Sequence, residues 1–205
     1  MNVPGVLELD PLTLRLADGG LVLTPFVPED APDLLDLALE SQAEIRPWMR
    51  WTDSIADLAG AAAILQEWER QWRAEEGFAF GARDAASGRM VGGGSLNQFN
   101  RKNAFANLAY WVRTGERGRG IAPRLTRILA RFGFEQLGLN RVEILMEPAN
   151  TASLRVAEKA GAVREGLLRR RILNRGEPRT AVVFSLIPSD LEPETRVDRS
   201  VTPAG

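Results

Sequence analysis

Hydrophobic and polar positions along this chain change their period repeatedly, from the spacing of strands to the spacing of amphipathic helices. The predicted helices span Asp30–Leu39, Ile55–Glu76, Pro123–Gln136 and Thr151–Lys159. The predicted strands span Leu12–Leu16, Leu21–Phe26, Phe78–Arg83, Met90–Leu96, Ala104–Val112, Val142–Glu147, Leu167–Leu173 and Arg179–Leu186. This alternation predicts one α/β or α+β domain with a mixed sheet.

Turn residues and polar stretches set the limits of the predicted domain. Asp18-Gly19-Gly20 is typical of a tight hairpin between the first two strands. From Pro188 onward the sequence is rich in Pro, Thr, Asp and Glu and has no periodicity, which predicts poor order. No repeat or linker is visible, so we expect one domain over residues 1–187 and a disordered tail over residues 188–205.

The bulk composition excludes several classes of protein. The 205 residues are 44% hydrophobic and 26% charged with a net charge of −1, which argues against broad electrostatic binding to nucleic acid or an anionic membrane. No apolar run reaches the ~18 residues of a transmembrane helix. Met1–Asp10 lacks the pattern of a signal peptide. Cysteine is absent, so disulfides are excluded and a cytoplasmic location is predicted.

Histidine is absent as well, and together the two absences limit the chemistry. Thiolate or imidazole zinc sites cannot form, and we predict no metal centre. Neither a Ser-His-Asp triad nor a cysteine nucleophile exists. Any proton transfer must use carboxylates, hydroxyl groups, lysine, tyrosine, substrate or water.

The loop Arg117–Ala122, with the sequence Arg-Gly-Arg-Gly-Ile-Ala, has the features of a diphosphate-binding site. Its two glycines let the backbone come close to a ligand. The free N–H groups at the start of the next helix, with the positive end of the helix dipole behind them, favour an anion. Pro123 fits the first helical turn, where its missing N–H is least costly. An ordinary glycine turn before a helix is the other interpretation.

The glycine spacing excludes the two commonest nucleotide loops. A P-loop needs Gly-x-x-x-x-Gly-Lys-Ser/Thr, which the chain lacks, and a dinucleotide fingerprint needs a glycine where Pro123 stands. The remaining pattern, Arg/Gln-x-x-Gly-x-Gly/Ala, is filled by Arg117, Gly120 and Ala122. It resembles the coenzyme A pyrophosphate loop of the GNAT acetyltransferase superfamily.

Further motifs, in the correct order between about Leu21 and Ile187, extend the resemblance to the RimL-type branch, named for ribosomal-protein N-terminal acetyltransferases. They are similar to its Leu-x-x-Trp-x-x-Trp segment, its Gly-Tyr-Trp strand, its Gly-Leu-Asn-Arg-Val run before the fifth strand and its Asn-x-x-Ser…Gly-Phe…Glu-Gly signature. The corresponding residues are Ile45–Trp51, Ala109–Val112, Leu139–Val142 and Asn150–Ser153 followed by Gly161 and Glu165-Gly166.

The resemblance implies a fold and a cofactor. The fold would be a single GNAT-type domain with a central, mixed, mostly antiparallel twisted sheet, splayed between the family's fourth and fifth strands and flanked by about four helices. The cofactor would be acetyl-CoA or another acyl-CoA, with its pantetheine arm extending one splayed strand like an extra strand. A homodimer is consistent with this branch.

The resemblance also implies roles for individual residues. The Val112 backbone would hold pantetheine, and the Tyr110 N–H would lie near the thioester carbonyl, where an oxyanion develops. Asn150 would brace the cofactor or the strand splay, and Ser153 would contact the cofactor and protonate the departing thiolate. The backbone N–H groups that would hold the pyrophosphate belong to Arg117, Gly118, Arg119, Gly120, Ile121 and Ala122.

Each of these residues also fits an ordinary structural role. Asn150 is a favoured N-cap for the next helix, Ser153 fits a solvated or capping hydroxyl, and Tyr110 fits a core strand. Two further groups carry the same ambiguity. Trp48 and Trp51 fit an acceptor cleft or a structural loop, and Arg169–Arg171 fit a solvated strand edge better than a site for acidic partners.

The chain departs from the family pattern where a general base would stand. The glutamate that many members carry on the strand before the loop is Asn107 here, and the tyrosine that some use as general acid is Ala157. The RimL-type glutamate before the final hairpin falls near Arg171. Glu147, at the end of a strand, and Glu44, before the tryptophans, are candidate replacements, although a charged residue at a strand end is usually solvated.

This lack of a standard base predicts the kind of acceptor. An α-amine of pKa ~7.8 is roughly one-third neutral at about pH 7.5, whereas lysine at ~10.4 is about 0.1% neutral. A site without a dedicated base loses far less with the first amine, so we expect an α-amine or another amine of low pKa.

The leading interpretation is an N-acetyltransferase in which the amine attacks the thioester directly, because no residue can supply a covalent nucleophile of the cysteine or histidine kind. Positioning and the strand N–H would supply most of the catalysis. The acceptor would be a protein or peptide N-terminus. The alternatives are a small-molecule amine or antibiotic acceptor, a succinyl-CoA donor supported by arginines such as Arg113 or Arg171, and a non-catalytic acyl-CoA-binding protein.

Overall fold

The computed structural model describes residues 13–191 of the 205-residue chain. The predictions for Met1–Asp10, for Leu12 and for the tail beyond Leu191 lie outside the described residues. The helices are α1 (Ala31–Glu40), α2 (Gln42–Ile45), α3 (Leu58–Arg73), α4 (Ile121–Glu135) and α5 (Thr151–Lys159). The strands are β1 (Leu16–Asp18), β2 (Leu21–Pro25), β3 (Gly77–Asp84), β4 (Met90–Asn100), β5 (Phe105–Val112), β6 (Arg141–Met146), β7 (Val163–Asn174) and β8 (Glu177–Leu186).

These strands form one sheet in the order β1-β2-β3-β4-β5-β6-β8-β7. β5 and β6 run parallel, and the other neighbours are antiparallel. This confirms the predicted mixed, mostly antiparallel sheet, and the one-turn helix α2 is an addition to the predicted helices. Within residues 13–191, no helix has the length and apolar character needed to cross a bilayer.

The sheet is splayed between β5 and β6. Over the stretch beyond their short ladder, β5 continues to pair with β4, and β6 continues to pair with β8. An opening therefore separates the two strands, as expected for the fold. The residues that still pair across them are Phe105 with Arg141, Ala106 with Val142 and Asn107 with Glu143.

Two hydrophobic clusters hold helices to opposite faces of the sheet. One cluster joins α4 and α5 to the sheet through buried side chains such as Leu96, Leu129 and Phe132. The other joins α1 and α3 to the opposite face, where Trp111 and Leu34 are buried. Each fully buried side chain of this size stabilises the fold by about 1.5–3 kcal/mol, so the opening between β5 and β6 is bounded by well-packed walls.

Glycines in β4 allow close packing on both faces. A Cβ on Gly93 would lie 2.6 Å from Cζ2 of Trp111, and a Cβ on Gly94 would lie 2.6 Å from Cδ1 of Leu129. Separations this short are not tolerated between non-bonded carbons. Glycine at these positions therefore lets the Trp111 ring on one face and helix α4 on the other lie directly against the strand.

The first predicted strand is wrong in its bounds. β1 spans Leu16–Asp18 instead of Leu12–Leu16, because the hairpin has a two-residue turn that pairs Asp18 directly with Leu21. Gly19 and Gly20 form this turn with φ values of 54° and 84°, which is the left-handed backbone that a type I′ turn requires.

Other predicted bounds also need correction: β4 ends at Asn100 instead of Leu96, β7 begins at Val163 instead of Leu167, and α3 ends at Arg73 instead of Glu76. α3 begins at Leu58 instead of Ile55, because the Asp57 side chain accepts a hydrogen bond from the Gly60 N–H at 2.8 Å and caps the helix there. The polar tail was predicted to begin at Pro188. Residues Pro188–Leu191 instead form a 3-10 turn, because the apolar Leu191 is buried in the α4–α5 cluster.

Candidate active site

Alternate backbone groups of β5 face the opening. In an antiparallel ladder, residues that exchange hydrogen bonds alternate with residues that do not. The Arg113 N–H donates to the Val91 carbonyl of β4 at 2.9 Å, so Arg113 is one of the residues that exchange hydrogen bonds with β4. Counting back two residues, Trp111 is another. Tyr110 and Val112 therefore turn their N–H and C=O groups away from β4 and toward the opening. These are the two strand residues for which cofactor contacts are predicted.

The loop Arg117–Ala122 leads from β5 into α4, and the Arg117 N–H donates to the Thr114 carbonyl at 3.2 Å. Gly118 and Gly120 have φ values of 80° and 73°, and a Cβ at either position would meet no atom within 4 Å. From Gly118 onward the loop N–H groups donate to no acceptor in the described part of the chain. α3 and α5 are capped by Asp57 and Asn150, whereas α4 has no side-chain cap. The loop thus fits an anionic group such as pyrophosphate.

Ion pairs surround this loop and neutralise the nearby carboxylates. Arg119 pairs with the buried Glu116, which also accepts a hydrogen bond from Arg89 at 3.3 Å. Arg117 is exposed and lies 4.0 Å from the carboxylate of Glu44. Glu44 therefore belongs to the ion pairs around the loop, which makes it a poor candidate for a general base.

Arg113, which follows β5 directly, anchors the strand to α1. This residue is 1% exposed, and its guanidinium donates to Asp36 at 2.7 Å, to Glu40 at 2.6 Å and to the Met90 carbonyl at 3.0 Å. Burial alone would lower the pKa of Arg113, but the two carboxylates raise it. Arg171 lies exposed on the edge strand β7. Neither arginine supports the succinyl-CoA alternative.

Tyr110 and Ser153 are brought together across the cleft. The Tyr110 hydroxyl lies 2.8 Å from Oγ of Ser153 and 3.0 Å from its carbonyl oxygen. Desolvation raises the pKa of the Tyr110 hydroxyl to about 12, so this group stays protonated. Asn150 accepts a hydrogen bond from the Ser153 N–H at 3.1 Å, which is the N-cap role considered for it above. The Tyr110 side-chain contact is a site feature that the sequence analysis missed.

The positions of the family's base and acid carry no titratable group. Asn107 donates a hydrogen bond to Oδ1 of Asn97 at 2.9 Å, and the amide of Asn97 donates to Oγ of Ser95 at 3.0 Å. Ala157 is fully buried in the α4–α5 cluster. A proton acceptor beside the opening must therefore come from another residue.

Glu147 follows β6 and lies half-buried. Its Oε1 atom accepts a hydrogen bond from the Asn174 amide at 2.6 Å, and the same amide donates to the Pro47 carbonyl at 3.1 Å. The tip of the β7–β8 hairpin therefore contacts both the end of β6 and the segment between α2 and α3.

This hairpin tip is tied to the α2–α3 segment by Arg175. Its guanidinium donates to the Arg46 carbonyl at 2.7 Å and to Asp53 at 3.1 Å. Arg46 and then Arg175 lower the pKa of Asp53 through their hydrogen bonds. Beside these contacts is an open depression of about 380 Å³, which is lined by Gln42, Ala43, Arg46, Pro47 and Arg175.

An aromatic cluster lies on the α1–α3 face below the opening. The Trp111 ring centroid is 5.1 Å from that of Trp51 and 5.7 Å from that of Trp68. The indole N–H groups of Trp51 and Trp111 are buried and have no partner within residues 13–191. Trp48 is 37% exposed. Of the two tryptophans considered for an acceptor cleft, Trp51 is partly buried and packs against the cluster with α1 and α3, and Trp48 faces the surface.

The parallel strands that diverge, the free amides at the head of α4 and the hydroxyl pair beside the opening together define an acyl-CoA-dependent transferase domain. The sequence profile described as "Acetyltransferase (GNAT) domain" matches residues 20–163. The chain belongs to this family of acetyltransferases, in which acetyl-CoA is the cosubstrate and the acetyl group passes to an amine.

Named relatives and solved structures agree with this assignment. A protein of Bacillus subtilis named putative ribosomal N-acetyltransferase YdaF is 31% identical over 170 residues, which cover 82% of this chain and 91% of that protein. The structure of a putative ribosomal-protein-serine acetyltransferase from Vibrio cholerae has a TM-score of 0.77 and 28% identity, covering 88% of this chain and 100% of that one. Mycobacterium smegmatis RimJ in complex with CoA-disulfide has a TM-score of 0.76 and 25% identity, covering 88% of each chain.

Proposed function

We propose that this protein transfers the acetyl group of acetyl-CoA to a primary amine of low pKa, most simply the α-amine at the N-terminus of a protein or peptide. The observation that carries the proposal is the opening between β5 and β6, which combines free backbone donors with the Tyr110–Ser153 hydroxyl pair. The names of the YdaF and Vibrio cholerae relatives, which refer to ribosomal proteins, support an acceptor of this class.

The residues of the chain fit acetyl-CoA along the length of this opening. The free N–H groups of the loop, from Gly118 to Ala122, would hold the pyrophosphate, and the Val112 backbone would hold the pantetheine arm as an additional strand. The Tyr110 N–H would then donate to the thioester oxygen as it gains negative charge. Asn150, by capping α5, would keep Ser153 beside the sulfur atom.

Ser153 would supply a proton to the departing thiolate. Its hydroxyl has one hydrogen atom, and that atom is available only if Ser153 accepts its hydrogen bond from Tyr110. The Tyr110 hydroxyl, whose pKa is raised to about 12, keeps its own hydrogen atom and lies within hydrogen-bond distance of two acceptors, the Ser153 carbonyl at 3.0 Å and Oγ of Ser153 at 2.8 Å. Tyr110 would therefore contribute twice, with its backbone N–H to the oxyanion and with its side chain to Ser153.

The preference for an α-amine follows from the residues at the base position. Asn107 is hydrogen-bonded to Asn97 and cannot accept a proton from an ammonium group. The position that carries the base in many family members therefore cannot deprotonate an ammonium group, and we expect the amine to arrive largely neutral. An α-amine of pKa ~7.8 satisfies this requirement near neutral pH, whereas a lysine side chain of pKa ~10.4 does not.

A pair of peptides tests this proposal. One peptide has a free N-terminus and no lysine, and its twin has a blocked N-terminus and one lysine. Thiol release from acetyl-CoA can be measured without interference, because the protein contains no cysteine. We expect turnover on the first peptide only, and faster acetylation of the blocked twin would contradict the choice of acceptor. Turnover on small amines alone would favour the small-molecule alternative.

A non-catalytic acyl-CoA-binding protein is the second candidate, and the substitution at Asn107 is the observation that favours it. Such a protein would bind coenzyme A in calorimetry and release no thiol with any amine.

A homodimer and a cytoplasmic location are also part of the function that we propose for this protein. Sedimentation and cell fractionation would test them.

A further inference from the structure

The two sides of the opening carry different chemical groups, and strand alternation shows which group lies on which side. Val142, Ile144 and Met146 of β6 are buried in the cluster with α4 and α5. Successive side chains of a strand point to opposite faces. Glu147, the residue after Met146, therefore lies on the α1–α3 face. Its hydrogen bond with Asn174, whose amide also contacts Pro47, agrees with this position.

The Tyr110–Ser153 pair lies on the other face. The Tyr110 ring packs against the cluster formed with α4 and α5, and Ser153 belongs to the first turn of α5. The ladder between β5 and β6 pairs Asn107 with Glu143. The ladder ends at this pair, and beyond it Glu147 lies four residues further along the β6 side of the opening, as Trp111, next to Tyr110, lies four residues further along β5. A carboxylate and a hydroxyl pair thus flank the same part of the opening from opposite sides of the sheet.

Glu147 also differs from the neighbouring carboxylates in its charge environment. Asp53 is paired with Arg46 and Arg175, and Glu143 is paired with Arg141. Within residues 13–191, no lysine or arginine forms an ion pair with Glu147, and a neutral amide is its hydrogen-bond donor. In the described part of the chain, Glu147 is therefore not held in an ion pair, in contrast to those two carboxylates.

We propose that Glu147 accepts the proton that the acceptor amine loses, directly or through one water molecule, and that Asn174 positions it. This rests on the proposed function. The amine nitrogen enters from the α1–α3 face and forms a bond to the thioester carbon, while the carbon–sulfur bond breaks. The surplus proton on nitrogen passes to Glu147 and then to solvent. The sulfur atom takes a proton from Ser153 on the opposite face, which solvent later replaces.

The test compares Glu147→Gln with Glu143→Gln in the full chain. Both residues lie on the same side of the same strand region, but Glu143 is already neutralised by Arg141. With the free-amine peptide described above, we expect Glu147→Gln to lower kcat about 10²-fold at saturating peptide, with the affinity for acetyl-CoA unchanged. The decrease should persist at a pH where the peptide amine is fully neutral. Glu147→Asp should recover part of the rate, and Asn174→Ala should lower kcat less than Glu147→Gln does.

Three results would overturn the inference. Wild-type kcat in Glu147→Gln would show that no proton passes to this residue. An increase in KM for the peptide with unchanged kcat would assign Glu147 to binding the ammonium group. Loss of acetyl-CoA binding would assign it to the fold. Absence of turnover by the wild-type protein on every amine is a separate result, because it would contradict the proposed function itself.

Discussion

The hydroxyl group of Tyr110 lies 2.8 Å from Oγ of Ser153, although the two residues are 43 positions apart in the sequence. Tyr110 belongs to β5 and Ser153 to the first turn of α5, so this contact links the two walls of the opening. The distance is typical of a normal O–H···O hydrogen bond, and one of the two hydroxyl groups must donate to the other.

Removal of the Ser153 hydroxyl should slow the reaction with little effect on binding. We expect Ser153→Ala to lower kcat about 10²-fold, because the thiolate would leave without a proton donor. Tyr110→Phe should cost about tenfold, corresponding to one hydrogen bond of ~1.4 kcal/mol. Steady-state thiol release measures both changes. Thr151→Ala, at an exposed position in the same first turn of α5, is the control, and an equal loss in that variant would point to disruption of α5.

A side chain at Gly120 should weaken cofactor binding more than it weakens the fold. Gly120 has a φ of 73°, so Gly120→Ala should cost about 1–2 kcal/mol of stability through backbone strain and should also obstruct the approach of an anion. Calorimetry should show at least about tenfold weaker binding of coenzyme A. Gly88→Ala imposes similar strain at a φ of 71° in a distant turn. Equal affinities in the two variants would remove the loop from the binding site.

Acid should remove a stabilising contact at Glu165. Hydrogen bonds from Arg141 lower the pKa of Glu165 from 4.5 to about 2, against the opposing effect of burial. Because this pKa is lower in the folded chain, the contribution to stability is present above about pH 4.5 and is lost as the pH falls toward about 2. Glu165→Gln should therefore lower Tm at pH 7, and the difference from wild type should shrink in acid. A Tm difference that is constant with pH would contradict this assignment, and Glu158→Gln, at an exposed site, serves as the control.

A methyl group at Gly93 should disrupt the centre of the sheet. Its Cβ would lie 2.6 Å from Cζ2 of Trp111 and 2.8 Å from the Phe80 carbonyl oxygen. Overpacking of this kind typically costs about 1–3 kcal/mol, and contact with backbone leaves little room for relief. Urea unfolding of Gly93→Ala should show this loss. Trp111→Phe in the same chain should not restore stability, because the Phe80 contact persists. An unchanged midpoint would mean that β4 can move away from its neighbours.

Local signals in the sequence predicted those elements whose ends depend on nearby residues. α5 has the predicted bounds, because Asn150 caps its start and Gly161, with a φ of 88°, follows its end. α2 was not predicted, since four residues are too few to show a helical period. The 3-10 turn Pro188–Leu191 was not predicted either, because the burial of Leu191 depends on a distant partner, the α4–α5 cluster.

The candidate site shows the same contrast between features with a local sequence signal and features that depend on distant residues. The family motif identified the backbone positions Tyr110 and Val112 and the loop, and the ladder of β5 gives their N–H groups the required direction. Their roles in binding stay predictions. The side-chain contacts between Tyr110 and Ser153, and between Glu147 and Asn174, join elements far apart in sequence. No spacing rule within one segment could reveal them.

The short ladder between β5 and β6 makes the sheet two sections joined by a narrow seam. Amide protons along the unpaired part of this seam should exchange with solvent much faster than those of β3 and β4. A bound pantetheine arm would add hydrogen bonds to β5 and bridge the seam, so exchange there should slow when coenzyme A is present. The sheet would then be most flexible between turnovers and most rigid while the cofactor is bound. For part of each catalytic cycle the cofactor would take the place of a strand between β5 and β6.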